Sequence, residues 1–522
     1  MSFAFLLFGR LRCISREMRR GRVTKAVVSQ VFHLGVCVLA GVSFAPPGDA
    51  QPLGAGSPWV YALTEGSQLR ADCPICDPVT APVPMRGTFE LSLNSQNPLF
   101  TEYAVENIAF TAGLTNGPTY KITGGGVYLL GGEVAVVQSL SLAVQIDNGT
   151  TSELCYLTNA MGPAGRSWPM LQAEVDQTNG TPIQQYHLDL NAAPLREIWF
   201  ATGAPFVAGG WNPPTNAISA GDLLSMSGRV IRRNQQLTAR LGIVPEVPDL
   251  GLKDVDVLPG GEIAFSIGQD VLSQTLGALH PGDLLSDQGR ILRANSQLIA
   301  AFLPSPAPPA GAGLRGVQVM DSGETYFSVQ TNFYSKKLGL EIQTGDVLSD
   351  SGTIVRSASQ LLAAFSPANP TADYGLTAFC VWPGGEIWFA TTQGFYDSAS
   401  NFYAPGDLLS DNGYVVYRNP ELVSAFAGPG AAPGLGLNAL FVVSDVTPLN
   451  GPAQLSMPQR ASQPPASLTF QWQGGGRVFQ LERAAGLAEP FLPASPMDTI
   501  GSFTDAGILD AQGQALYRVH QW

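Results

Sequence analysis

The sequence predicts an all-β protein built around a tandem repeat, on three observations. A motif close to Gly-Asp-Leu-Leu-Ser recurs four times, at Gly221-Asp222, Gly282-Asp283, Gly345-Asp346 and Gly406-Asp407, in steps of 61, 63 and 61 residues. Spacing that regular marks one supersecondary unit copied in tandem. Turn formers are abundant, with 58 Gly and 40 Pro in 522 residues, and only 13% of residues are charged, a composition of strands and turns rather than helices. Short apolar runs, several of them alternating, are bounded by Gly, Pro and Asp, as in half-buried strands.

In chain order, residues 1–50 read as a signal peptide. Arg10, Arg12, Arg16, Arg19, Arg20, Arg22 and Lys25 form a basic segment ahead of the apolar run Val31 to Ala45, and Gly48-Asp49-Ala50 suits cleavage before Gln51. Retention as an anchor is the alternative, although a run of about 15 residues is short against the roughly 20 a span needs. No other stretch is apolar enough to cross a membrane, so a secreted, periplasmic or cell-surface location is expected. Without those 50 residues the basic count falls from 28 to 21 and the acidic count from 41 to 39, a net charge of −18. That balance argues against nucleic acid, whose binding draws on clustered Lys and Arg.

Residues 51–185 read as an antiparallel β domain, a sandwich. Phe89, Leu91 and Leu93 share one face of a strand, and Leu140, Leu142, Val144 and Ile146 share a face of another. Gly124-Gly125-Gly126 has no Gly-Lys-Ser/Thr after it, so a hairpin or bulge is expected rather than a phosphate loop. Cys73 and Cys76 are the only close cysteine pair and, in an exported chain, read as a local disulfide. Cys155 and Cys380 lie in apolar strand-like runs and read as buried core thiols.

Residues 186–446 hold the four repeats, each of about 62 residues. A Gly-Glu-aromatic run recurs at Gly261-Glu262, Gly323-Glu324 and Gly385-Glu386, and in its first copy Arg196 replaces the glycine before Glu197. Gly251, Gly313, Gly375 and Gly436 each open a further apolar run, and Gly228, Gly289, Gly352 and Gly413 mark turns. Each unit therefore reads as about four short strands. One segment departs from that pattern: Asn295 precedes helix formers, as do Asn234, Ser357 and Asn419, which predicts one or two helical turns with these residues as N-caps. Four strands per unit with an aromatic strand in each resembles a β-propeller blade. The order Gly-Leu, Gly-Glu-Ile-Trp-Phe, Gly-Asp-Leu-Leu is similar to blade repeats of secreted proteins of environmental bacteria, which implies a propeller-like array.

Residues 447–465 carry Pro452, Pro458, Pro464 and Pro465 and read as a linker. Beyond them Leu468, Phe470 and Trp472 alternate in a 466–522 module read as a small β-sandwich. The order Gln480-Leu481-Glu482-Arg483, Phe503-Thr504-Asp505, Tyr517-Arg518-Val519 resembles fibronectin-III-like or immunoglobulin-like C-terminal modules of bacterial secreted proteins.

The chemistry of the repeated acids points two ways. Asp283 and Asp287, Asp346 and Asp350, and Asp407 and Asp411 stand beside glycine turns, and oxygen ligands at such turns suit calcium. The competing reading, which fits the sequence better, is a turn in which Asp bonds its own backbone. Glu262, Glu324 and Glu386 read as turn-to-strand acids, and Trp199, Tyr326 and Trp388 as packing between units. His187, His280 and His520 are widely separated, and neither His-Glu-x-x-His nor Gly-x-Ser-x-Gly occurs. No catalytic residue and no cofactor other than calcium is therefore nominated. Three functions follow: an exported non-catalytic scaffold or adhesion-type protein whose loops bind a protein or polysaccharide of the envelope, which the sequence favours; a carbohydrate-binding protein using aromatics near Phe333-Tyr334 and Phe395-Tyr396; and a secreted hydrolase.

Overall fold

The computed structural model describes residues 5–8 and 58–522, apart from 77–79, 115–116, 210–216, 307–310, 428–433, 447–450, 462–466, 487–488 and 507–513. The leader read at residues 1–50 thus lies outside the described residues. The exception is Phe5–Phe8, a short strand antiparallel to Gln514–Gln521. Sheets are antiparallel throughout and the protein is all-β.

Ten strands between Trp59 and Ala193 make one sheet. Pairing runs in chain order from Val83–Gln96 through Phe100–Gly113, Thr119–Gly131, Val137–Asp147, Ser152–Thr158 and Leu171–Gln177 to Gln185–Ala193. Gln185–Ala193 then returns to Val83–Gln96 through Trp59–Leu63 and Gln68–Asp72. The sheet closes on itself, where a two-layer sandwich was expected. Closure leaves no long unpaired edge, but strands this long must bend, and glycine makes that feasible. Gly124 has φ +147 and a Cβ there would stand 2.3 Å from the Ala143 carbonyl oxygen. Gly124-Gly125-Gly126 lies mid-strand, not in a hairpin, and faces a bulge between Val105 and Ile108 of the neighbouring strand. Phe89, Leu91, Leu140, Leu142, Val144 and Ile146 are buried, with Leu93 and Trp168 partly buried against the same core. The Trp168 ring fills the interior, stacked on Tyr103 at 5.1 Å.

Four further sheets share a strand order. Three are consecutive in the chain. They comprise Leu252–Val257, Ile263–Ile267, Leu284–Ser286 and Arg290–Arg293; then Arg315–Val319, Thr325–Ser328, Val347–Ser349 and Thr353–Arg356; then Leu376–Val381, Ile387–Thr391, Leu408–Ser410 and Tyr414–Tyr417. The remaining sheet has Glu197–Ala201, Leu223–Ser225 and Val230–Arg232, and its first position is filled from the far end by Ala439–Val443. The four first strands lie against one another in succession, and Ala439–Val443 touches Leu252–Val257. In every unit a two-stranded hairpin separates the second and third strands.

The helical segments are Asn234–Thr238, Asn295–Ile299, Ala358–Leu361 and Asn419–Ala427. Ser357 is an N-cap and accepts from Gln360 N at 3.3 Å. The asparagines differ from expectation: Asn234 and Asn295 are the first helical residues after Arg233 and Ala294. Their side chains turn inward and reach the next unit, Asn234 Oδ1 accepting from Leu250 N at 3.0 Å and Asn295 Oδ1 from Ala312 N at 2.8 Å. Beyond the repeats, Gln454–Leu455 and Gln459–Ala461, inside the segment read as a linker, pair with Ser467–Gln473. Ser467–Gln473 also pairs with Ser502–Ala506, and Phe479–Ala484 with Gln514–Gln521. One core cluster joins these strands, including Leu468, Phe470, Trp472 and Tyr517.

Several contacts tie the parts together, two of them through largely buried carboxylates that serve distant segments. Arg166, from the first sheet's connections, forms a fully buried ion pair with Glu386 of the fourth unit. Asp445 accepts from Val60 N at 2.8 Å, Arg196 Nε at 2.9 Å and Trp522 Nε1 at 2.9 Å, one carboxylate serving three distant segments. Burial alone would raise the Glu386 carboxyl, but the Arg166 charge and hydrogen bonds from Arg166, Ser410 and Trp388 hold it below its ordinary value. Such a group stabilises the fold above the unfolded carboxylate range and loses that contribution as pH falls through the folded value. Arg166→Met should therefore lower unfolding free energy at neutral pH by about 3–5 kcal/mol, because it strands a buried charge. Urea titrations should show the deficit shrinking in acid, where Glu386 is protonated in both proteins.

Candidate functional site

The repeated acids are the first candidates, and the structure gives each copy the same local task. The first Asp of every motif is buried and joins two backbone segments. Its Oδ1 accepts from the residue twelve positions on: Asn234 N, Asn295 N, Ala358 N and Asn419 N for Asp222, Asp283, Asp346 and Asp407, at 2.9, 3.0, 2.9 and 2.9 Å. Its Oδ2 accepts from three positions back: Ser219 N, His280 N, Gln343 N and Ala404 N, at 3.1, 3.0, 2.9 and 3.0 Å. A carboxylate so engaged pins the hairpin to the helix start. The second Asp works within its own sheet: Asp287 Oδ1 accepts from Ile263 N at 3.1 Å and Asp411 Oδ1 from Ile387 N at 2.9 Å, while Asp350 N donates to Thr325 O at 3.0 Å. The six acids nominated for calcium are distributed over three sheets. Among the described residues, no group of three or more His, Cys, Asp and Glu side chains is placed to share a metal ion.

The glutamates serve the same framework. Glu197 accepts from Trp199 Nε1 at 2.7 Å and from Ser225, and Glu386 accepts from Trp388 Nε1 and Ser410 Oγ, each at 2.8 Å. Glu262 and Glu324 accept from Ser286 and Ser349. The serine that ends each of these third strands is therefore the partner of the glutamate beside the adjacent, directly paired strand. Trp199 and Trp388 are fully buried and Tyr326 partly so, which removes them as an exposed ring. Each described histidine has a carboxylate beside it, His187 beside Asp176, His280 beside Asp270 and His520 beside Glu482, in separate regions. Cys73 and Cys76 are joined as a disulfide with their Cα atoms 5.2 Å apart. Cys155 is buried as expected, whereas Cys380 is only half-buried.

Two other features stand out. The hairpins expose a hydrophobic residue at one shared position: Val207 is 70% exposed, Leu272 62%, Tyr334 46% and Tyr396 55%. Phe402, 48% exposed, pairs with Tyr396 across its hairpin with ring centroids 4.9 Å apart. The sequence offered Tyr334 and Tyr396; Val207 and Leu272 emerge only when the hairpins are aligned by pairing. The second feature is a cavity of about 240 Å³ among the first strands of the four sheets, lined by residues from Asp256, Val317, Phe379 and Leu440 to Arg477. Repeat alignment could have nominated its strand residues. Nothing in the sequence nominated Arg477, which comes from the connection between Ser467–Gln473 and Phe479–Ala484.

Asp254, two residues from Asp256, is fully buried opposite Ser266, which interacts with it but does not offset the burial. Burial pushes its carboxyl up to about 7.

No family model matches this chain, and no curated protein matches it. Among solved structures, the extracellular domain of a putative hybrid two component system from B. thetaiotaomicron is 7% identical, with a TM-score of 0.19. The match covers 81% of this chain and 75% of that one. The extracellular domain of a putative one component system from the same organism is 8% identical with a TM-score of 0.17, over 86% of this chain and 94% of that one. Likeness at this level does not define a shared fold.

The carboxylates set two expected outcomes. Asp283→Ala leaves two N–H groups without their acceptor and should cost about 1–3 kcal/mol for each that stays buried. With or without calcium, the thermal midpoint of the wild-type protein should be the same; a rise on adding calcium would revive the acids as ligands. Asp254 has a folded value above its unfolded one, so it lowers stability as pH rises from the ordinary carboxylate range to about 7. Asp254→Asn should accordingly be a few kcal/mol more stable than wild type at pH 8 and no more stable at pH 4, read from denaturant midpoints.

Proposed function

We propose that residues 186–446 form a closed, propeller-like array of four units, and that the exported chain is a non-catalytic binding protein whose hairpins contact a protein or polysaccharide of the cell envelope. The observation that carries this reading is the exposure of a hydrophobic side chain at the same hairpin position in all four units. Scattered exposed apolar residues need no explanation, but recurrence at one structural position does. The repeated acids support a non-catalytic reading because they act as backbone acceptors in every copy. A catalytic pair needs two carboxyls in different environments, and repetition of one environment does not provide them. No described helix is long and apolar enough to cross a membrane.

Carbohydrate recognition is the second reading, favoured by the Tyr396–Phe402 pair, whose exposed rings offer an apolar platform for a sugar face. A triple variant, Tyr334→Ala, Tyr396→Ala and Phe402→Ala, tests both. Truncating an anchor residue is worth about 2 kcal/mol or more, so partner retention should fall at least about tenfold. Loss of retention on insoluble polysaccharide would establish the carbohydrate reading, and loss of a specific envelope protein the scaffold reading. Retention unchanged in the variant would remove the hairpins from recognition.

A further inference from the structure

We propose that the cavity enclosed by the first strands of the four sheets is a binding site for a small, neutral, largely aromatic molecule. This goes beyond the hairpin surface and uses none of its residues.

Register identifies four equivalent positions around the cavity: Asp256, Gln318, Cys380 and Phe441 pair with Ala264, Tyr326, Trp388 and Trp199, the same place on each second strand. Two of them stitch neighbouring units together. Asp256 Oδ2 accepts from Val319 N at 2.7 Å, and Gln318 both accepts from Val381 N at 2.7 Å and donates to Val381 O at 3.1 Å. At the other two positions a thiol and a ring replace those bridging groups, and both line the cavity. The remaining wall is mostly apolar, with Val317, Phe379, Trp382, Leu440 and Val442.

Three properties define the occupant. At about 240 Å³ the cavity falls just below the roughly 300–1,000 Å³ of sites for drug-sized ligands, which suits one or two fused rings. Phe379, Trp382 and Phe441 supply ring faces and edges, for which aromatic partners have preferred offset and edge-on geometries. The charged groups are already partnered, Asp256 and Asp321 sharing one guanidinium. Arg477 donates to Asp256 at 3.2 Å, Val257 O at 2.7 Å, Val319 O at 3.2 Å and Asp321 at 3.2 Å, so its guanidinium is a wall rather than an anion hook. Burial, and secondarily the Asp256 charge, push the Cys380 thiol up to about 12, so it stays neutral. A charged ligand would lose its hydration against these walls without gaining a partner.

The probe is 1-naphthol, titrated into the full chain by calorimetry. Saturable one-to-one binding is expected. Cys380→Phe, which fills the cavity, should weaken binding at least about tenfold. Phe441→Ala, which enlarges the cavity, should gain affinity for pyrene, and it keeps the test decisive if Cys380→Phe does not fold. No saturable binding to the wild type, an unchanged affinity in folded Cys380→Phe, or no gain for pyrene in Phe441→Ala would each overturn the proposal. The triple hairpin variant should bind 1-naphthol as the wild type does.

Discussion

The pairing of Glu197–Ala201 with Ala439–Val443 is the constraint on which the arrangement of the repeats depends. It places a strand from the end of the repeats at the first position of the opening sheet. Without it, that sheet would present Glu197–Ala201 as an edge strand, and the fourth unit would end beside an unfilled position. An open edge of that kind is a template for pairing with other chains. The entropic penalty of joining such distant segments grows only with the logarithm of the intervening length. Five residues in register, with the packing they bring between Trp199 and Phe441, stand against that penalty.

Asp445 follows directly after this closing strand, and its position explains how the rest of the chain is held. Its carboxylate takes hydrogen bonds from the start of the first sheet, from Arg196 at the opening of the repeats and from the terminal Trp522. Arg196 also lies 5.5 Å from the Trp522 ring centroid. A closing strand out of register would misplace Asp445 and with it all three partners. Arg166 and Glu386 make the parallel link on the fourth unit, and burial makes that pair demanding rather than generous: each charge depends on the other being present.

The all-β character was legible because Gly, Pro and Asp bound short apolar runs throughout the chain. The Gly-Asp motif, the Gly-Glu run and the helical segment fall at corresponding places along four sheets that share a strand order. The turn reading of the acids pointed to local backbone partners, and each first Asp has one three residues back, but its other partner is a backbone group twelve residues ahead. Pairing at that distance cannot be read from local pattern. Asn234 and Asn295 were misplaced by one position for a similar reason: an asparagine before helix formers looks like a cap, yet here its amide serves the following unit. Ala358 replaces that asparagine in the third copy, where Asp373 joins the two segments through other donors, accepting from Thr344 N at 2.9 Å and Gly375 N at 2.9 Å. Closure of the first sheet was not legible, since alternation shows which face is buried and says nothing about whether the sheet meets itself.

What repetition preserves and what it lets vary separate framework from recognition. Acceptors that tie helix to hairpin are retained as Asp222, Asp283, Asp346 and Asp407, because losing one would orphan two backbone donors in a buried place. The innermost position shows no such uniformity: it is carboxylate, amide, thiol and phenyl in turn. Identical side chains there would meet in a symmetric cluster, and four carboxylates would repel one another. Variation lets Asp256 and Gln318 bridge to the next strand while Cys380 and Phe441 leave space. Arg477 then neutralises the one buried acid of the set from outside the repeats. The cavity is thus a consequence of four related strands carrying unrelated side chains, and its asymmetry is the property a specific ligand would need.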